Sequence, residues 1–255
     1  MSPSSTRVNL TTYTDADVFG FPDLHGGRYR VLSQPDTNSD LFTVGNRSGL
    51  LMTAARVDRE TLCHFSAHCR LLVYVAIQQS AGAYFVTVKI NVNVRDVNDN
   101  DPQFPQASMS VPVTENSARE SIDITPAMDL DIGQNTIQHY DLVAEDPTMF
   151  RLVVTPNLDG SLVPNLIINT ELDRETRDFY KVVILAKDGG SEMRTGVLTL
   201  NITVEDVNDN APVFTASEFN VSVNETLPRD SVVATVRATD RDIGFNGEVG
   251  GLSVL

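Results

Sequence analysis

Three carboxylates and two carboxamides stand within six residues at Asp96-Val97-Asn98-Asp99-Asn100-Asp101, with Pro102 directly after them. A hard divalent cation such as calcium takes six to eight oxygen ligands, and carboxylates, Asn side chains and backbone carbonyls are the groups it selects. The stretch therefore predicts a calcium site. Pro102 has no N–H and biases the residue before it away from helix, so the acidic segment is expected to be an extended connector between domains. The pattern returns as Asp206-Val207-Asn208-Asp209-Asn210-Ala211-Pro212, 110 residues later. That interval is the size of a domain, and it makes two joints.

Other acidic words keep nearly constant distances from the joints. Asp58-Arg59-Glu60 returns 115 residues on as Asp173-Arg174-Glu175. The run Asp129-Leu130-Asp131-Ile132-Gly133-Gln134-Asn135 returns 111 residues on as Asp240-Arg241-Asp242-Ile243-Gly244-Phe245-Asn246. The excess in the first interval coincides with the segment from Cys63 to Cys69, which reads as an insertion between strands. A single acidic connector is ordinarily a solvated loop; two copies with matched outlying acids reverse that judgement. An EF-hand is excluded because Asp101 occupies the position its loop reserves for Gly and no helices flank the segment. His25, His64, His68 and His139 have no zinc spacing beyond one four-residue step across the cysteine loop. Nothing resembles a nucleophile elbow or a phosphate loop, so no enzyme is expected.

Strands must position these acids. Val86, Val88, Ile90, Val92 and Val94 alternate with Thr87, Lys89, Asn91 and Asn93, one half-buried strand leading into the first joint. Leu198, Leu200, Ile202 and Val204 alternate with Thr199, Asn201 and Thr203 before the second. Further strand candidates are 71–77, 109–114, 137–143, 150–154, 166–169 and 180–186, and 41–44 with 50–53 read as a hairpin around the turn 45–49. Helical periodicity is absent throughout. A succession of short strands with regular turns predicts a β-sandwich, because an alternating strand buries its apolar face only against a second sheet. The units fall at 1–100, 101–210 and 211–255. The third holds too little apolar surface to close a sandwich, and is expected to be disordered or poorly packed.

The 255 residues are 41% hydrophobic, enough for packed cores, and carry a net charge of −15, which argues against nucleic acid or anionic lipid as partner. No run of eighteen apolar residues occurs, and the opening MSPSSTRVNLTT lacks the basic start and apolar stretch of a signal peptide. No transmembrane segment is expected in this chain. Cys63 and Cys69 are the only cysteines; they are two free thiols if the protein is cytosolic, and any disulfide has one possible pairing. Five N-x-Ser/Thr sequons, at Asn9, Asn46, Asn201, Asn220 and Asn224, are glycan acceptors if the chain is secreted. With a calcium site that cytosolic calcium would fill poorly, they favour a location outside the cell.

The order of these words, DRE, DxNDN, PxF, xEx, DxDxGxN and DxG, resembles the cadherin repeat over almost the whole chain. The resemblance implies an all-β fold of tandem seven-stranded Greek-key β-sandwiches, of immunoglobulin-like architecture, joined by calcium-binding linkers. It makes 1–100 the first cadherin repeat, 101–210 the second and 211–255 an incomplete third. The Cys-x5-Cys loop after the DRE word is similar to that of protocadherins, and implies a disulfide between Cys63 and Cys69. It also implies three calcium ions in each joint. Ligands carried over to the first joint are Asp58, Glu60, Asp96, Asn98, Asp99, Asn100, Asp129, Asp131, Asn135 through its carbonyl, and Asp188. Those of the second are Glu115, Asp173, Glu175, Asp206, Asn208, Asp209, Asn210, Asp240, Asp242 and Asn246. The first repeat has no DxDxGxN word, and Gln78 stands where Asp188 stands in the second, so it is expected to be the outermost repeat. Pro3, Ser4 and Ser5 fall where the family's first-strand glutamate would be, so either the true N-terminus has been lost or the first joint is short of one bridging ligand.

The function implied is calcium-dependent cell–cell adhesion or recognition by an ectodomain on the extracellular side of the plasma membrane, binding another cadherin ectodomain, homophilically. Anchoring through an N-terminal Trp is excluded, since the chain has none. A non-adhesive calcium-stiffened structural or signalling spacer, and an inactive truncated product, are the alternatives. No small-molecule substrate and no cofactor beyond calcium are implied.

Overall fold

Period-two alternation is what the chain turns into structure. The computed structural model describes residues 8–9, 27–35, 37–78, 85–117 and 120–249. Pro3, Ser4, Ser5, His25 and the side chain of Asn9 lie outside them. The chain divides into two compact units, one of residues up to Asn100 with Leu130–Thr136, the other of Asp101–Asp129 with Ile137 onward.

The first unit contains β1 (Val8–Asn9), β2 (Arg28–Leu32), β3 (Phe42–Val44), β4 (Leu50–Thr53), a short helix α1 (Arg59–Cys63), β5 (Cys69–Gln78) and β6 (Phe85–Val94). They form two sheets, ordered β1-β4-β3 and β2-β5-β6. The hairpin read from sequence is present, with Phe42 opposite Thr53 and Val44 opposite Leu51. Alternation puts Leu71, Val73, Val75 and Ile77 of β5 into a core with Tyr29, Phe42 and Leu51. Val88, Ile90, Val92 and Val94 of β6 pack against that core while staying half-exposed.

The second unit holds β7 (Ser108–Thr114), β8 (Ser121–Asp123), β9 (Ile137–Ala144), β10 (Phe150–Pro156), β11 (Leu162–Ile168), β12 (Phe179–Asp188) and β13 (Thr195–Glu205). A four-stranded sheet β7-β13-β12-β9 faces a three-stranded sheet β10-β11-β8, with Greek-key crossovers. Leu198, Leu200, Ile202 and Val204 point inward with Val182, Ile184, Leu166 and Ile168, all buried. Each such side chain contributes about 1.5–3 kcal/mol of burial. Strand β7 pairs in parallel with β13, Val111 beside Ile202 and Val113 beside Val204. The core therefore delivers both strand ends, Glu115 after β7 and Asp206 after β13, to the same edge of the sandwich.

Beyond residue 210, β14 (Val213–Phe214) pairs with β15 (Ala238–Thr239), and Phe219, Val221, Val223, Val232 and Phe245 are exposed. No facing sheet covers these apolar side chains among the described residues.

Two local expectations need correction. The chain is not free of helix: α1 runs from the DRE word to Cys63, just before the cysteine loop, nucleated by Asp58, whose Oδ1 accepts the N–H of Thr61 at 2.9 Å. Five residues are too few for a 3.6-residue period to show. Strand β11 begins at Leu162 rather than 166 and includes Pro164, tolerated because β11 pairs there only with β10, at Val154. Strand β8 has no counterpart among the sequence candidates; with three residues it is too short to show alternation.

Candidate metal centres

In the first unit the connector lies against the loop 130–136. Carboxylate oxygens of Glu60, Asp96 and Asp131 lie within 4.8 Å of one another. Oδ2 of Asp96 accepts the N–H of Ile132 at 3.1 Å and the side-chain amide of Asn135 at 2.9 Å. The side-chain amide of Asn100 donates to Oδ1 of Asp131 at 2.6 Å and to Oδ1 of Asp99 at 3.0 Å, and its backbone N–H reaches Oδ2 of Asp131 at 3.1 Å.

The second unit repeats this lattice bond for bond. Oδ2 of Asp206 takes the N–H of Ile243 at 3.2 Å and the amide of Asn246 at 3.0 Å. Asn210 donates to Oδ1 of Asp242 at 2.8 Å and to Oδ1 of Asp209 at 2.7 Å. Two carboxylate triads result, Glu115–Glu175–Asp209 and Glu175–Asp206–Asp242, with Glu175 common to both. Gly133 and Gly244 have φ of +63° and +56°, a conformation that an L side chain resists. That turn brings Asn135 and Asn246 back onto the connector.

Not every carried-over residue joins a triad. Asp58 and Asp173 cap their own turns, Asp173 accepting the N–H of Thr176 at 3.2 Å and its hydroxyl at 2.8 Å. Asp240 accepts the N–H of Asp242 at 3.0 Å. Asn98 is half-buried and Asn208 exposed. Asp129 and Asp188 are buried within the second unit. Asp188 Oδ1 takes the N–H groups of Gly190 and Arg194 at 3.1 and 3.0 Å, and its Oδ2 is buried with no hydrogen-bond partner.

The donor set fits a hard cation. A buried carboxylate oxygen without a hydrogen-bond donor, such as Asp188 Oδ2, is costly unless a cation meets it. Burial, before the neighbouring Asp99, Asp131 and Asp58 charges, holds the Glu60 carboxyl above its ordinary pKa. Burial first, and then the Glu115 charge, does the same to Glu175. Both shifts record negative charge gathered away from water.

Sequence reasoning missed the arginines of the two DRE words. Arg59 is 4% exposed, with Nη1 3.3 Å from Asp96 Oδ1 and 3.7 Å from Glu60 Oε1. Arg174 pairs with Asp206 and Glu175 and donates to the carbonyl of Arg241 at 2.7 Å. Their recurrence inside a repeated acidic word was the available signal. The disulfide between Cys63 and Cys69 is formed, closing the loop after α1. Asn46, Asn220 and Asn224 are exposed, and Asn201 is half-buried on β13. No helix among the described residues is long and apolar enough to cross a membrane.

Comparison with known proteins places this geometry. The family model for the cadherin domain matches residues 109–205, and one described as cadherin-like matches 17–79. Human protocadherin gamma-A12 is 39% identical over 216 residues, which is 84% of this chain and 22% of that protein. Mouse protocadherin-20 is 41% identical over 240 residues, 86% of this chain and 25% of that protein. The chain thus spans about a quarter or less of these relatives. The solved structure of mouse clustered PcdhgC3 EC1-3 superposes with a TM-score of 0.77 at 33% identity, covering 86% of this chain and 68% of that one. On these matches and on the shared sandwich plan, the chain belongs to the cadherin family and is protocadherin-like.

Proposed function

We propose that this chain is part of a calcium-dependent cell–cell adhesion or recognition ectodomain, held on the extracellular side of the plasma membrane by its parent protein. The observation that carries the reading is the twice-built lattice of acids and amides around Asp96 and Asp206. In it 1–100, 101–210 and 211–255 are successive cadherin repeats, and the two ligand sets named from sequence hold calcium in the joints. Asp129 and Asp188 belong to the first set. The partner is another cadherin ectodomain, bound homophilically, and Asn9, Asn46, Asn201, Asn220 and Asn224 are the candidate glycan acceptors. The role is recognition, not catalysis. Analytical ultracentrifugation in calcium and in chelator tests it: self-association only in calcium is expected, and a monomer in both favours the spacer instead.

Calcium affinity should fall as pH is lowered towards the carboxylate range, and begin to fall at a higher pH than unshifted glutamates would give. A carboxyl whose pKa is raised in the metal-free protein, as for Glu60 and Glu175, begins to take up protons at higher pH, and calcium must displace them. Calorimetric titration at several pH values checks this. A flat affinity across those pH values would contradict the assignment of the two glutamates.

A further inference from the structure

We propose that Arg59 is a positioning residue coupling cation occupancy of the first acid cluster to the conformation of the Cys63–Cys69 loop; the proposal rests on the calcium reading above. Its guanidinium faces two different sets of oxygens. On one side stand Asp96 Oδ1 and Glu60 Oε1, members of the carboxylate triad. On the other, Nη1 donates to the carbonyl of His64 at 3.3 Å and Nη2 to the carbonyl of Ser66, both inside the disulfide-closed loop. Between those two carbonyls sits Phe65, 61% exposed.

Arg174 shows what is particular to the first unit. It makes the same approach to the connector, on Asp206 and Glu175, but its remaining bond goes to the backbone of Arg241. No cysteine loop follows it. The insertion after Arg59 supplies the two carbonyls that receive the first guanidinium. His64 itself sits at φ +49°, in the left-handed region, and its N–H is held by the carbonyl of Glu60 at 3.1 Å.

An arginine cannot relieve its charge by losing a proton. A divalent cation drawn to Glu60 and Asp96 therefore weakens the hold of those carboxylates on the guanidinium and repels it. The remaining acceptors in reach are the carbonyls of His64 and Ser66. Occupancy of the cluster shifts Arg59 towards the loop and tightens the loop around it. By reciprocity, a tightened loop favours occupancy by the same factor.

The test uses the whole chain with its disulfide intact. The Cys63–Cys69 bond is reduced by dithiothreitol in calcium and in chelator, with trapped thiols counted by mass spectrometry. Calcium binding is followed calorimetrically on the same material. Calcium should slow reduction at least about fivefold, the lower end of ordinary coupling between sites. Arg59→Lys keeps the charge near Asp96 and loses the fork to two carbonyls, and should erase most of that ratio. The exposed neighbour Arg70→Lys should keep it. Calcium binding with equal reduction rates overturns the coupling alone, whereas no calcium binding overturns the metal reading with it. Should Arg59→Lys fail to fold, hydrogen exchange in the unaltered protein decides. Calcium must slow exchange at the Ser66 amide relative to Gly49 in the β3–β4 turn, and equal effects at both overturn the proposal.

Discussion

Excess calcium is expected to raise the melting temperature of this protein by roughly 10 °C or more over the value in chelator, and to make unfolding more cooperative. An ion that binds only the native state stabilises it by about 2.7 kcal/mol at a hundredfold excess over its dissociation constant. For a domain of about 100 residues each kcal/mol is worth about 4–8 °C. The charge distribution sets the direction. Glu60, Asp96 and Asp131 converge in one unit, and Glu115, Glu175, Asp206, Asp209 and Asp242 in the other, with few cationic side chains among them. Arg59 and Arg174 each bring one positive charge to a cluster of several negative ones. Calorimetric scans in calcium and in chelator decide the matter, with small-angle scattering to report whether the dimensions change as well. Coincident melting curves and coincident dimensions would remove calcium from the account of this protein.

Glu115→Ala is expected to destabilise the second sandwich by several kcal/mol even in chelator, and to weaken any calcium binding at the Glu115–Glu175–Asp209 triad. Glu115 is 2% exposed, and its carboxylate fastens two other segments to the end of β7. Oε1 accepts the N–H of Val207 at 2.6 Å and Oε2 the N–H of Arg174 at 2.9 Å. Truncation leaves both N–H groups without an acceptor, at about 1–3 kcal/mol each where buried. It also takes one member out of the Glu115–Glu175–Asp209 triad. Glu115→Gln keeps a single oxygen acceptor and should fall between Ala and the unaltered chain. The exposed Glu120→Ala should stay within about 0.5 kcal/mol. Urea unfolding in chelator separates the structural share from the metal share. If Glu115→Ala and Glu120→Ala unfold at the same urea concentration there, the fastening role is refuted.

These two effects have different origins. The first is a charge density spread over repeated words, and the second is one side chain that satisfies backbone groups from two distant segments. The contrast explains what could be read in advance. Val86–Val94 and Leu198–Val204 showed their strands because a period of two is local and both faces are written into consecutive residues. The two connectors showed themselves through recurrence at 110 residues, which needs no folding to be seen.

Sequence alone thus determined the β-sandwich class, the recurrence of the acidic words and the family resemblance. The tertiary structure decided how the oxygens are used. Asp58 and Asp173 turn to cap their own segments, accepting the N–H groups of Thr61 and Thr176. Glu115 reaches Val207 because parallel pairing of β7 with β13 brings together chain positions some ninety residues apart, and it reaches Arg174 in the turn before β12. The arginines of the DRE words lie within the acid clusters, and Arg59 alone turns on to the disulfide loop. Such contacts depend on long-range pairing and on the direction in which each side chain leaves its strand or turn. Neither is encoded in the spacing of neighbouring residues, so only the folded chain could supply them.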